Sequence, residues 1–214
     1  MTVKKKLLIG MTIVLCAAGT KANDWQSLNE LVLTYNVTDT WSVFSRSGVQ
    51  FARNSIDLNM GYIDGGAAYK FNPHWKIGAA YRHLWASIDT QTGQEDRPMI
   101  ELTWFDTLKD IRLSNRSRFE FRLYDFDKEN DFRYRNQTRA EFPWGIYGVK
   151  PYFEEEFFYS KNADEINQNW VTGGVYFKPA DYMKIRVAYR WVALKTNPEW
   201  INVNQVYLAC ALTF

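Results

Sequence analysis

Residues 111–124 read Ile-Arg-Leu-Ser-Asn-Arg-Ser-Arg-Phe-Glu-Phe-Arg-Leu-Tyr. Taken two at a time, Ile111, Leu113, Phe119, Phe121 and Leu123 fall on one face, interrupted by Asn115 and Ser117. Arg112, Ser114, Arg116, Arg118, Glu120 and Arg122 fall on the other. A period of two sends successive side chains to opposite faces of an extended strand, whereas a helix would need recurrence at three and four. The run is fourteen residues long, which is more than twice the usual strand of about 5–6 residues in a water-soluble sheet.

The same period continues on both sides. Phe132, Tyr134, Ala140 and Phe142 oppose Arg133, Arg135, Gln137, Arg139 and Glu141, and the chain ends with Val206, Leu208, Cys210, Leu212 and Phe214 on one face. Eleven candidate strands follow, near 24–36, 40–53, 58–71, 75–88, 97–106, 110–124, 131–142, 147–160, 168–178, 182–194 and 201–214. Short turns at Asn72-Pro73-His74, Asp106-Thr107-Leu108, Pro143-Trp144-Gly145 and Pro179-Ala180-Asp181 alternate with longer polar links at 89–96, 125–130, 161–167 and 195–200. A half-buried soluble sheet also alternates. A tilted membrane strand, however, needs about 9–11 residues, a length most of these segments meet. Trp41, Tyr69, Phe71, Trp75, Trp85, Trp104, Phe142, Tyr159 and Trp191 stand near the ends of the apolar faces, where interfacial girdles are expected. The expected fold is an all-β, antiparallel transmembrane β-barrel with short periplasmic turns and longer extracellular loops. A barrel with both chain ends in the periplasm needs an even strand number, so ten strands are preferred and twelve is the alternative. Residues 24–36 are then either a segment in the lumen or one of twelve.

The composition agrees. The chain has 214 residues, 17% of them aromatic, and a mean hydropathy of −0.40, which excludes a bundle of membrane helices. Residues 1–22 combine Lys4, Lys5 and Lys6, an apolar run from Leu7 to Ala18, and small residues at Thr20 and Ala22. This is the pattern of a secretory signal peptide, and it leaves 23–214 as the barrel domain. Leu15 before Cys16 is too bulky for lipoprotein processing, so Cys210 alone remains in the mature chain and no disulfide framework can form. Removing Lys4, Lys5, Lys6 and Lys21 turns 26 basic against 24 acidic residues into 22 against 24. A weakly acidic chain gives no reason to expect a nucleic-acid partner.

Several strings occur together in order: Asp24-Trp25-Gln26, Gly78-Ala79-Ala80-Tyr81-Arg82, Glu95-Asp96-Arg97-Pro98, Leu113 to Glu120, Phe132-Arg133-Tyr134-Arg135-Asn136, and Pro151-Tyr152 followed by Glu156 and Phe158. With them the mature chain resembles, over nearly its whole length, a family of proteins of unknown function read as outer-membrane β-barrels. It departs at Asn169-Trp170, where the family pattern has Asn followed by Arg. The resemblance implies the barrel and its location, and no activity. Phe214 at the end of the last strand resembles the signal read by the outer-membrane assembly machinery.

Chemistry is sparse. Of two histidines, His74 belongs to a turn, and His83 shares the outward parity with Ser87 without an obvious acidic partner. Glu154 and Glu156 form a carboxylate pair better explained as salt bridges to neighbouring arginines. No catalytic residue, metal site or cofactor is assigned. Asp125 to Asp131 carries alternating carboxylates but lacks the glycine of a calcium-binding hand and includes Lys128, so a solvated loop is favoured over calcium bridging to lipopolysaccharide.

The basic residues carry the strongest signal. If the apolar parity faces lipid, seventeen bases face inward or line the rim: Arg46, Lys70, Lys76, Arg82, Arg97, Arg112, Arg116, Arg118, Arg122, Arg133, Arg135, Arg139, Lys150, Lys178, Lys184, Arg186 and Arg190. Seven acids share that parity: Glu30, Asp64, Glu101, Glu120, Glu141, Glu154 and Glu156. Guanidinium groups pair bidentately with carboxylate and phosphate, so such a lumen favours anions. In charge alone it resembles arginine-lined porins for acidic oligosaccharides, with no shared motif. Inward Phe44, Tyr124, Tyr152, Phe158, Trp170, Tyr176 and Tyr207 could instead fill a narrow barrel. Two readings therefore stand: a passive channel or binding site for small anionic solutes, and a closed barrel with a structural or adhesion role. In both, the partners are the bilayer, lipopolysaccharide and the assembly machinery.

Overall fold

The computed structural model describes residues 25–52, 57–88, 91–125, 128–196 and 199–214; the expected signal peptide lies outside them. Eleven strands follow in order: β1 Trp25–Asn36, β2 Trp41–Ala52, β3 Asp57–Asn72, β4 Trp75–Ile88, β5 Gln91–Leu108, β6 Ile111–Tyr124, β7 Asp131–Glu141, β8 Lys150–Ser160, β9 Glu165–Ala180, β10 Met183–Thr196 and β11 Glu199–Thr213. Each pairs antiparallel with the next, and β1 closes the barrel against β11. A fourteen-residue strand such as β6 is about 46 Å long at ~3.3 Å per residue. Tilted by about 40°, it rises roughly 35 Å along the barrel axis.

The closing pair is parallel. Its register runs from Trp25↔Asn204 through Leu31↔Cys210 to Thr34↔Thr213. This corrects the expectation of ten or twelve strands. An even number is required only when every neighbouring pair is antiparallel; one parallel pair permits eleven. Residues 25–36 are accordingly wall, and neither a segment in the lumen nor part of a twelve-stranded set. The amide of Phe214 donates to the Thr34 carbonyl at 2.9 Å, and the Phe214 carbonyl accepts from Asn36 at 2.8 Å. The last residue is thereby tied into the seam, and its ring stacks on Tyr182 with centroids 6.2 Å apart. We refer to the two mouths as the Trp25 end and the Phe214 end.

The expected contrast between short turns and long loops is also absent. Strands β4 and β5 are two residues apart, as are β10 and β11, while β8 and β9 are four apart. Within the polar stretches expected to be links, residues 91–96, 165–167, 195–196 and 199–200 are strand, whereas 125–130 lies between strands. The longest connection, between Glu141 and Lys150, lies at the Phe214 end among the turns expected to be short. The hairpin between β5 and β6 turns on Lys109 and Asp110, at φ 48° and 68°. Two positive φ values are what a two-residue turn of matching twist requires, and Asp tolerates that region better than most side chains.

Packing is inverted relative to a water-soluble protein. Leu31, Leu33, Val43, Ile63, Ile77, Ile100, Phe119, Phe121, Leu123, Val187, Val206 and Leu208 are exposed on the outer wall, whereas Arg118, Glu120, Glu156 and Thr172 are among the most deeply buried side chains. A continuous apolar exterior far exceeds the patches that monomers expose to water. Aromatic residues ring both ends. Trp41, Phe71 and Trp75 are exposed towards the Phe214 end and Trp85 and Trp200 towards the Trp25 end. The Trp85 ring covers Gly61, shielding backbone that has no side chain of its own.

Candidate functional site: a charged lumen

The inward parity of β4 to β8 delivers acids and bases at alternating positions, and register interleaves them. Arg118 stands directly opposite Arg135, and Glu120 opposite Arg133. Like charges opposite one another are unfavourable unless carboxylates fill the diagonals, which they do. Glu120 is fully buried. It accepts from Arg133 Nε at 2.8 Å and Arg135 Nη1 at 2.9 Å, with Arg118 Nη1 3.6 Å away. Glu156 takes Arg135 at 2.9 Å and Arg116 at 3.3 Å. Glu101 takes Arg118 at 2.9 Å and Arg116 at 3.9 Å. Glu154 takes Arg139 at 2.6 Å and Arg190 at 3.7 Å. Arg82 pairs with Asp64 across β3 and β4, and its guanidinium lies 3.9 Å over the Tyr62 ring.

The opposite wall has fewer carboxylates, although Arg46, Arg186 and Arg190 line it. There Glu30 on β1 accepts from both Tyr62 and Tyr207, so one carboxylate links β3 and β11 across the seam. Tyr62 reaches it by crossing Gly48, where any Cβ would collide with the phenol ring. Gln205, Gln50 and Gln26 hydrogen bond in series at 3.2 and 3.0 Å. Trp170, at the position where the resembled family has Arg, points inward beneath the Arg190 guanidinium at 4.8 Å and against the Phe158 ring at 4.5 Å.

Two carboxylates were missed on the sequence. Glu95 binds Arg122 at 2.7 Å and also Arg97, and Asp131 lies 3.9 Å from Arg122. Glu95 sat in a segment expected to be a link, where polar composition masked its alternation. Among the described residues, nine acids and not seven then stand against the seventeen bases of the inward parity and rim, an excess of eight. That excess is unevenly placed. Arg112 and Lys184 share Glu141 at the Phe214 end. Arg186 has no carboxylate within 4.0 Å among the described residues, and its Nε lacks any partner. At the other mouth, Lys128 lies 4.6 Å over Tyr124. Burial and the nearby Arg122 hold its ammonium below the ordinary lysine range.

Inward aromatic residues leave part of the interior unfilled. A cavity of about 630 Å³ is lined by Ser42, Phe105 and Ser114 towards the Phe214 end and by Gln26, Asn59, Gln168 and Leu194 towards the Trp25 end. Between them it touches Arg82, Arg116, Arg118, Arg122, Arg133, Arg135, Arg139, Glu154, Glu156, Arg186 and Arg190. Glu120 sits behind this surface, and Arg112 lines a second cavity of about 410 Å³ with Lys150 and Lys178.

The remaining chemistry stays dispersed. His83 does have an acidic partner, contrary to expectation: Asp96 on β5 lies 2.8 Å from Nδ1 on the outer wall. Ser87 is four residues farther along the same strand. His74 Nδ1 is 3.0 Å from the Phe105 carbonyl in an exposed turn. Asp125 accepts from the Gln94 amide at 2.7 Å and Asp131 from Ser160 at 2.9 Å, so both are engaged as caps; Phe126 and Asp127 lie outside the described residues. No cluster of three metal-ligating side chains occurs among the described residues.

The model of a family described as "Protein of unknown function (DUF2490)" matches residues 25–203. The chain belongs to that family. No curated protein matches it. Among solved structures, this DUF2490 barrel is similar to one titled as the NanC porin in a rhombohedral crystal form, with a TM-score of 0.55 and 12% identity over 85% of this chain and 94% of that one. A second, titled "KdgM porin", gives a TM-score of 0.49 and 12% identity over 79% and 89% of the two chains. At such identity the first likeness speaks for the fold alone.

Proposed function

We propose that the protein is an integral outer-membrane channel that passes small anionic solutes. The observation that carries this reading is the lumen itself: a cavity of about 630 Å³ lined towards both mouths, in a wall whose inward bases exceed its acids. Buried charge focuses potential strongly where low-dielectric walls surround it, and an excess of fixed guanidinium favours anions over cations. The apolar exterior and aromatic ends support a membrane placement, and the NanC porin is a precedent for the architecture. Lipopolysaccharide and the assembly machinery are its expected partners, the latter through Phe214. No enzymatic role is assigned.

Planar-bilayer recording with the purified protein tests the proposal. Under a potassium chloride gradient the reversal potential is expected to lie on the chloride side. Arg186→Gln, which removes a cation outside the ion-pair lattice, is expected to lower the chloride preference. That preference should weaken from 0.1 M to 1 M salt, as the screening length falls from about 10 Å to about 3 Å. Cation selectivity, or no conductance above background, refutes the channel. The second outcome would favour the closed structural or adhesion barrel, a reading supported by the density of ion pairs around Glu120.

A further inference from the structure

Besides the His83–Asp96 pair, the outer wall carries a larger group of side chains ill suited to hydrocarbon. Asn115 and Ser117 on β6, Asn136 and Thr138 on β7, Glu155 on β8 and Asn169 on β9 all face outward. Asn136 and Glu155 are each the sixth residue of an eleven-residue strand, so the group lies at mid-height, where other strands present Ile63 or Ile100 to the surroundings. Within it Asn115 and Asn136 exchange amide hydrogen bonds of 2.9 and 3.0 Å. Asn115 also donates to Thr138 at 2.9 Å, and Asn136 to Ser117 at 3.1 Å. Asn169 Nδ2 donates to Glu155 Oε1 at 2.7 Å. The second Glu155 oxygen and the second Asn169 N–H have no partner among the described residues.

We propose that this face, centred on Glu155 and Asn169, is the contact surface for a second copy of the chain within the membrane. Acyl chains offer nothing to a carboxylate. A second copy related by a two-fold axis along the membrane normal presents the same group at the same depth. The free donor of Asn169 and the free acceptor of Glu155 are neighbours, so a two-fold axis between them sets each Asn169 against the opposing Glu155, and two reciprocal hydrogen bonds form. Polar groups at mid-membrane that bond across an interface favour association in this way. Gly173, farther along β9, has open space in front of it and allows close approach.

The inference rests on the membrane placement in the proposed function and is independent of conduction. The test is disulfide cross-linking of purified Val171→Cys in a Cys210→Ser background, reconstituted in phosphatidylcholine vesicles. Val171 is the outward neighbour paired with Glu155; Ile63→Cys on the opposite wall is the control. Oxidised dimers are expected from Val171→Cys and not from Ile63→Cys. Combining Val171→Cys with Glu155→Leu and Asn169→Leu should reduce dimer yield at least tenfold, with heat-modifiable gel mobility showing that the variant is folded. Equal cross-linking at both sites, none at Val171→Cys, or undiminished yield in the Leu variant overturns the dimer. Failure of the wild-type protein to insert into vesicles overturns the membrane reading as well.

Discussion

The parallel seam makes a sharp prediction at Leu31. Its partner in the register is Cys210, the free cysteine among the described residues. Adjacent strands lie about 4.8 Å apart, within the roughly 4.4–6.8 Å Cα separation that a disulfide spans. Leu31→Cys should therefore oxidise with Cys210, while Leu33→Cys, paired with Leu212, should not. The cross-link closes a loop of about 180 residues. The loop-entropy relation, ~2.1 plus 1.5R ln n in cal/mol/K, gives roughly 5 kcal/mol at 25 °C. At a urea dependence of about 2–3 kcal/mol/M, the oxidised variant should unfold roughly 2 M above its reduced form. Thiol counting and non-reducing gel mobility report the bond, and urea titration in detergent reports the shift. Two free thiols after oxidation of Leu31→Cys, or equal oxidation of Leu33→Cys, would refute the eleven-stranded closure.

Glu120→Gln removes the carboxylate that Arg118, Arg133 and Arg135 surround; with buried ion pairs broken, the expected loss is about 3–5 kcal/mol, read as a lower urea midpoint. Arg112→Gln, whose side chain is 54% exposed, should cost under ~1 kcal/mol in the same titration; comparable losses would show that Glu120 is not a keystone of the lattice. Gly48→Ala forces the Tyr62 ring off its path to Glu30 and is expected to cost about 1–3 kcal/mol. A variant as stable as the parent would mean that Tyr62 has room to move.

Alternation alone made the strands legible, because one side of each faces apolar surroundings and the other the charged interior. Even β1 was readable, with Leu31, Leu33 and Tyr35 set against Glu30, Val32 and Thr34. Its pairing was not, since parity identifies a face and says nothing of which strand lies alongside or in which direction. Strand ends were misjudged for another reason. Beyond the apolar band both faces are open to polar residues, so residues 91–96 read as a link although Glu95 is a lumen carboxylate. The basic character of the interior was visible as a count, but its division into bound and unbound cations depends on register. Arg116 and Arg186 share a parity, and only the pairing of β6, β8 and β10 with their neighbours puts Glu156 beside the first and leaves the second alone. The interruption at Asn115 and Ser117 was likewise plain, while the partners that make it a network, Tyr134, Asn136 and Thr138, come from the register with β7.

Because β1 and β11 run in the same direction, Trp25 and Phe214 open onto opposite mouths of the barrel. In a fully antiparallel barrel the two termini share a rim and a short linker can join them. Here a linker would have to traverse the wall, about ten extended residues at ~3.3–3.6 Å each. Circular permutation by simple end-joining is thus closed to this fold, whereas reporters fused before Trp25 and after Phe214 would sit at the two opposite mouths of a single molecule.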